Sequence, residues 1–65
     1  MVSMMNKELY GLVVGNAVRI TDGEFDGGKG HVIDIFCDSM EVELLLTGKF
    51  SGKTAIVSVL DTESL

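Results

Sequence analysis

A chain of 65 residues is long enough for one small domain and excludes a two-domain protein. Apolar residues make up 46% of the chain, which is enough for a hydrophobic core and argues against disorder. Ten carboxylates against five basic residues give a net charge of −5, which excludes the strongly basic composition of a dedicated nucleic-acid binder.

The first segments in chain order predict a tail and two short strands. Residues 1–11 are expected to form a flexible N-terminal tail, and residues 12–65 a single domain. Residues 12–14 are a branched apolar run, which predicts a first short strand. Val18 and Ile20 then alternate with polar neighbours, as in a strand that has one face in a core.

The next segment, residues 31–36, predicts a strand that is not straight. It is rich in branched and aromatic side chains, but two sets of them compete for the core side. One set is Val32 with Phe36, and the other is Ile33 with Ile35. Such a conflict is typical of a strand that bends at a bulge.

The second half of the chain predicts two more strands and a final turn. A tight turn at residues 38–39 leads into residues 40–46, where apolar side chains recur at every second position. A glycine-marked loop at residues 47–53 separates this strand from the branched run 55–60. Residues 61–64 supply an N-cap and an early acidic residue, which predicts a single helical turn.

Four or five short strands of this kind predict an all-β fold. A chain so short has few ways to protect open strand edges, and closing the strands into a small barrel removes those edges. We therefore expect a small five-stranded open barrel that ends in a short helical turn.

The residues that carry chemistry are too few for an active site. His31 and Cys37 are the only histidine and cysteine, and no serine lies in a nucleophile-elbow motif. Residues 48–54 imitate a phosphate-binding loop but lack its first glycine, and residues 22–27 imitate a calcium loop whose last carboxylate is missing. We therefore expect no enzymatic activity, no cofactor and no metal site.

Cysteine use and hydropathy indicate the compartment. A single cysteine excludes an internal disulfide and a cysteine-rich zinc site, and it is typical of a reducing environment. Apolar runs such as residues 12–14 and 44–46 fall far short of the roughly 20 residues that cross a bilayer. We expect a cytoplasmic protein without a membrane partner.

One arrangement of glycines and apolar residues is more specific than these patterns. It consists of Gly15, Val18, Ile20, Gly23, Phe25, Gly27, Gly30, Val32, Ile35, Val42 and Leu44. This arrangement resembles the KOW motif, and most closely the C-terminal domain of the NusG family of transcription elongation and antitermination factors. The resemblance covers residues 15–44 and implies a five-stranded SH3-like barrel. It also implies a non-catalytic module that docks a protein partner, either a NusE-like ribosomal protein or a Rho-like termination factor.

The resemblance also assigns roles to individual residues. Phe25 is held between Gly23 and Gly27, can hardly reach a core from there, and would be the apolar anchor for a partner. Glu24 stands where the family commonly has proline and adds a negative charge beside this anchor. The flanking polar contacts would come from Arg19 and Lys49, and the turn would be formed by Gly23, Gly27 and Gly30. Residues 50–53 lengthen the second loop relative to the family, and Phe50 there is a second aromatic that either contacts the partner or packs inward.

Two alternatives remain open. The first is an RNA-binding barrel resembling ribosomal large-subunit KOW proteins, although the net charge argues against it. The phosphate contacts would then come from Lys29, His31 and Lys53, together with Arg19 and Lys49. The second is a structural small barrel whose apolar N-terminal stretch packs on another subunit, so that the protein is a monomer or a weak oligomer.

Overall fold

The computed structural model describes residues 8–65, and residues 1–7, which include most of the predicted tail, lie outside the described residues. The chain forms five strands: β1 (Ala17–Ile20), β2 (Lys29–Phe36), β3 (Glu41–Leu46), β4 (Thr54–Ser58) and β5 (Thr62–Ser64). They pair antiparallel in one sheet of order β4-β3-β2-β1-β5. Two 3-10 turns, Gly48–Phe50 and Val59–Asp61, precede β4 and β5. The predicted small, all-β, barrel-like fold class is confirmed.

Alternating apolar residues place one face of the sheet in a single core. On β3, Val42 and Leu44 are fully buried, whereas Leu45 is 44% exposed. Val18 and Ile20 of β1 are buried in the same way. The core is completed by Leu12, Val32, Ile35, Leu46, Ala55 and Val59. Burial of such side chains contributes about 1.5–3 kcal/mol each for the larger ones, so this cluster is the main source of stability.

β2 bends at a bulge, as its competing registers predicted. The pairing of β2 with β3 shifts between Val32 and Asp34, which leaves Ile33 as an extra residue. Val32 and Ile35 are therefore both buried although they are three positions apart, and Ile33 is exposed on the outer side. The prediction of a bulged strand is confirmed.

Gly30 lies inside β2, so its predicted role in the turn is wrong. Its backbone is buried against β3, and a Cβ atom there would lie 2.6 Å from the carbonyl oxygen of Leu45. It would also lie 3.2 Å from the Cα atom of Leu46. Glycine at this position permits the close approach of two strands.

The C-terminal residues form a strand where a helical turn was expected. A 3-10 turn does occur, but it spans Val59–Asp61, and its cap is the hydroxyl of Ser58, which accepts from the Leu60 N–H at 3.2 Å. Thr62–Ser64 then pair with β1 as β5. This pairing satisfies backbone groups on the side of β1 that faces away from β2, which would otherwise be open.

Residues 12–14 form no strand, contrary to the sequence-based expectation. Leu9 and Leu12 exchange backbone hydrogen bonds of 3.1 and 2.9 Å across a tight turn, in which Tyr10 and Gly11 have positive φ. Leu12 is buried and Leu9 packs partly against the core, whereas Val14 is 56% exposed. The apolar run thus anchors the N-terminal segment through one residue rather than along a strand face.

Candidate functional site

The loop between β1 and β2, residues 21–28, has a fixed backbone. At its base, the N–H of Gly27 donates to the carbonyl of Ile20 at 2.8 Å. Gly23 and Gly27 have φ angles of +88° and +87°, which L side chains rarely adopt, so both glycines form the turn. These constraints hold the backbone on both sides of Phe25.

The loop between β3 and β4, residues 47–53, is tied to the start of β2. The backbone N–H and the hydroxyl of Thr47 both donate to the carbonyl of Lys29, at 2.9 and 3.3 Å. The 3-10 turn Gly48–Phe50 follows directly. Because Lys29 directly follows the β1–β2 loop, this attachment places the two loops side by side.

Phe25 and Phe50, one from each loop, form an aromatic pair. Their ring centroids lie 5.2 Å apart with an interplanar angle of 88°, which is the edge-to-face arrangement that aromatic rings prefer. Both rings are half-buried and pack against the core. The expectation that Phe25 hardly reaches a core is therefore wrong, because Phe50 and the core side of the loops bury one side of its ring.

Gly28 makes room for the aromatic pair. A Cβ atom at Gly28 would lie 2.9 Å from the carbonyl oxygen of Phe25 and 3.2 Å from Cδ2 of Phe50. A larger residue would have to displace the Phe50 ring or the turn itself. The double glycine at 27–28 thus serves two purposes, a left-handed turn and a close ring contact.

A cleft of about 290 Å³ opens beside the aromatic pair, between the two loops. Its lining residues come from both loops and from the start of β2: Asp26, Gly27, Gly28, Lys29, Thr47, Gly48, Lys49 and Phe50. The ammonium group of Lys49 lies 5.5 Å from the centroid of the Phe50 ring, which is a cation–π distance. The cleft can receive an apolar side chain against an aromatic wall, with charged groups at its rim.

The side chains around the cleft carry charges of both signs. Asp22, Glu24 and Asp26 are exposed on the β1–β2 loop. Asp26 lines the cleft together with Lys29 at the start of β2 and Lys49 on the β3–β4 loop. Among residues 8–65, no group of three acidic, histidine or cysteine side chains could hold a metal ion. The cleft is therefore bordered by charges of both signs.

Arg19 lies outside this cluster. Its guanidinium donates to the carboxylate of Glu63 on β5 at 2.9 Å, and both side chains are about half exposed, at 43% and 52%. A solvent-exposed ion pair of this kind contributes about 1 kcal/mol or less to stability. Arg19 lies directly opposite Lys29 in the β1–β2 pairing, so it is a neighbour of the cleft rather than part of its lining.

The residues considered for RNA contact are not gathered at one place. Of Lys29, His31 and Lys53, only Lys29 lines the cleft. His31 is exposed on the outer face of β2, opposite Leu45 of β3. Lys53 is exposed at the end of the β3–β4 loop. Lys29 and His31 are two positions apart on the same face of β2, whereas Lys53 comes from a separate loop.

Two features of the site had no signal in the sequence. Phe25 and Phe50 are distant along the chain, and no local pattern pairs them. Thr47 holds the second loop in place through Lys29, but a threonine before a glycine is an ordinary loop residue. The double glycine at 27–28 is the one local feature that indicates a close backbone contact.

Comparison with protein-family models and with curated proteins identifies no relative of this chain. The chain matches none of the protein-family models with which it was compared, and no curated protein matches it significantly. Within residues 8–65, no helix has the length and apolar character needed to cross a membrane.

Proposed function

We propose that this protein is a non-catalytic docking module of the transcription elongation and antitermination machinery, acting in the cytoplasm. The observation that carries the proposal is the half-buried aromatic pair, Phe25 with Phe50, beside the cleft that Phe50 lines. Aromatic side chains, phenylalanine among them, are enriched in protein interfaces relative to the rest of the surface. The KOW-like arrangement of residues 15–44 supports the same assignment, because it implies that these two loops make the contacts.

The charge pattern favours a protein over RNA as the partner. An RNA backbone that approached Lys29 and Lys49 would also meet the carboxylate of Asp26, which lines the same cleft, and Asp22 and Glu24 are exposed on the same loop as Asp26. Phosphate binding gains from uniform positive charge, which this surface does not have. A protein can present charges of both signs around an apolar side chain, and so can complement both sides of the cleft.

The net charge of −5 favours the ribosomal protein among the two partners that the resemblance implies, because proteins that bind RNA are typically basic. Long-range attraction between oppositely charged proteins speeds their association. We therefore assign a NusE-like ribosomal protein as the first partner and a Rho-like termination factor as the second. Phe25 and Phe50 would form the apolar centre of the contact, with Glu24 and Lys49 at its rim.

Replacement of the anchor tests this proposal. Phe25→Ala is expected to weaken binding to a purified NusE-type ribosomal protein about 30-fold, or about 2 kcal/mol, measured by titration calorimetry. Because Phe25 also packs on the core, we expect a loss of roughly 1–2 kcal/mol of folding stability as well. The titration is therefore made at a temperature where the variant is fully folded by circular dichroism.

Phe36→Ala is the matched control. Phe36 is also a half-buried phenylalanine, but it lies at the far end of β2, about 23 Å along the strand from Lys29. We expect this variant to lose a similar amount of stability and to bind the partner within about twofold of the original affinity. Equal loss of affinity in both variants would reject the aromatic pair as the docking centre. Salt-dependent binding of a short RNA in place of the protein would favour the RNA-binding alternative.

A further inference from the structure

β4 presents an open edge. It is the last strand of the sheet, and β3 is its one neighbour among the described residues. The N–H of Leu46 donates to the carbonyl of Lys53 at 2.9 Å, and the N–H of Val59 donates to that of Met40 at 3.0 Å. These two bonds, at the two ends of β4, fix which residues of the strand are bonded to β3.

Hydrogen-bonded pairs recur at every second residue of an antiparallel ladder. Counting inward from the two end pairs, Ala55 and Val57 bond to β3. The N–H and C=O groups of Thr54, Ile56 and Ser58 therefore point to the open side. Every second residue of β4 therefore presents its backbone hydrogen-bonding groups to the open side.

This edge has none of the features that usually prevent strand pairing. Its sequence from residue 54 to 58, Thr-Ala-Ile-Val-Ser, contains no charged residue and no proline, and its register with β3 is continuous. Ile56, at its centre, is 55% exposed. The opposite edge of the sheet, β5, is only three residues long and carries Glu63.

We propose that β4 pairs antiparallel with β4 of a second copy of this chain, about a two-fold axis at Ile56. This register places Ile56 opposite Ile56 and Thr54 opposite Ser58. Each residue whose backbone groups point to the open side is then paired with another such residue. On the inner side it sets the small Ala55 against the larger Val57. The strand is thus complementary to itself in hydrogen bonding, polarity and size.

The residues that flank β4 also favour a second copy. In the antiparallel register, Lys53 of one copy lies opposite Val59 of the other, two positions from Asp61. The positive charge before the strand therefore approaches the negative charge after it, twice by symmetry. On the outer face the neighbour of Ile56 within its own sheet is Glu43 of β3, so the apolar contact that pairing adds on this face is the one between the two Ile56 side chains.

The dimer is expected to be weak. Pairing of one five-residue strand buries less than the roughly 1,200 Å² of stable complexes. Two copies of net charge −5 also repel each other. Since salt screens this repulsion, association should strengthen as the ionic strength rises from about 20 to 300 mM.

Sedimentation velocity of the full 65-residue chain, from about 10 µM to 1 mM, tests the proposal. We expect a monomer–dimer equilibrium that Ile56→Lys weakens at least tenfold. Ile33→Lys adds the same charge on the same face, but two strands from the edge, and should dimerise within about threefold of the original chain. A mixture of Ile56→Lys with Ile56→Glu should dimerise again although neither variant does so alone.

Several results would overturn the dimer. The proposal is rejected if the chain stays monomeric at 1 mM in 300 mM salt. It is also rejected if Ile33→Lys abolishes dimerisation and Ile56→Lys does not. If Ile56→Lys does not fold, hydrogen exchange of the original chain tests the interface instead. The amides of Thr54, Ile56 and Ser58 should exchange more slowly as the concentration rises, and unchanged exchange at concentrations where a dimer sediments would place the interface elsewhere.

Discussion

Leu44→Ala is expected to lower the free energy of unfolding by about 3 kcal/mol. Leu44 is fully buried at the centre of β3, between Val32 of β2 and Ala55 of β4. The substitution removes apolar contacts and leaves a cavity that the neighbouring strands can only partly close. A 65-residue domain has roughly 3–10 kcal/mol of stability, so this loss takes a large share of it.

Thermal unfolding followed by circular dichroism measures this effect. The midpoint should fall by roughly 10–20 °C, and the variant should be partly unfolded near 37 °C if the original chain is of ordinary stability. Leu45→Ala is the control, because this neighbouring leucine points outward and is 44% exposed. We expect it to cost less than about 1 kcal/mol. Equal effects of the two substitutions would contradict the inward and outward alternation along β3.

Gly30→Ala is the second large effect, and it has a different cause. The new methyl group would lie 2.6 Å from the carbonyl oxygen of Leu45 and 3.1 Å from its carbonyl carbon. Both atoms belong to the backbone of β3, so neither can move aside without separating the two strands. We expect a loss of about 3 kcal/mol, measured by urea unfolding.

Gly52→Ala separates this steric cost from the cost of backbone strain. Gly52 has a φ of +90°, but a Cβ atom there would have no atom within 4 Å. Its substitution should therefore cost about 1 kcal/mol, the strain of a left-handed backbone alone. If Gly52→Ala were as harmful as Gly30→Ala, close strand packing would not be the reason for glycine at position 30.

The parts of the fold that were predictable are those with a local signal. The alternation around Val18 and Leu44 identifies strands with one buried face, because side chains change sides at every residue. The conflict between Val32 and Ile33 identified a bulge for the same reason. β5 had no such signal, because Thr62–Ser64 is short and polar, and only the open side of β1 makes it a strand.

The candidate site was predictable only in part. The glycines around Phe25 indicate a tight turn, since a left-handed backbone needs glycine. The burial of Phe25 could not be read from the turn, because its partner Phe50 comes from a loop that tertiary structure brings alongside. Arg19 seemed free in the sequence, but β5 supplies Glu63 as its partner. Contacts between distant loops thus decide which predicted residues share a surface.

The docking surface is tested most directly by amide NMR. The isotopically labelled chain, at about 50 µM where the proposed dimer is a minor species, is titrated with a purified NusE-type ribosomal protein at physiological salt. We predict that chemical-shift changes are confined to residues 21–29 and 47–53, around the Phe25–Phe50 pair, and that the shifts of β4 do not change. Saturable binding that leaves both loops unperturbed and shifts another face would contradict the assignment of the cleft as the docking site.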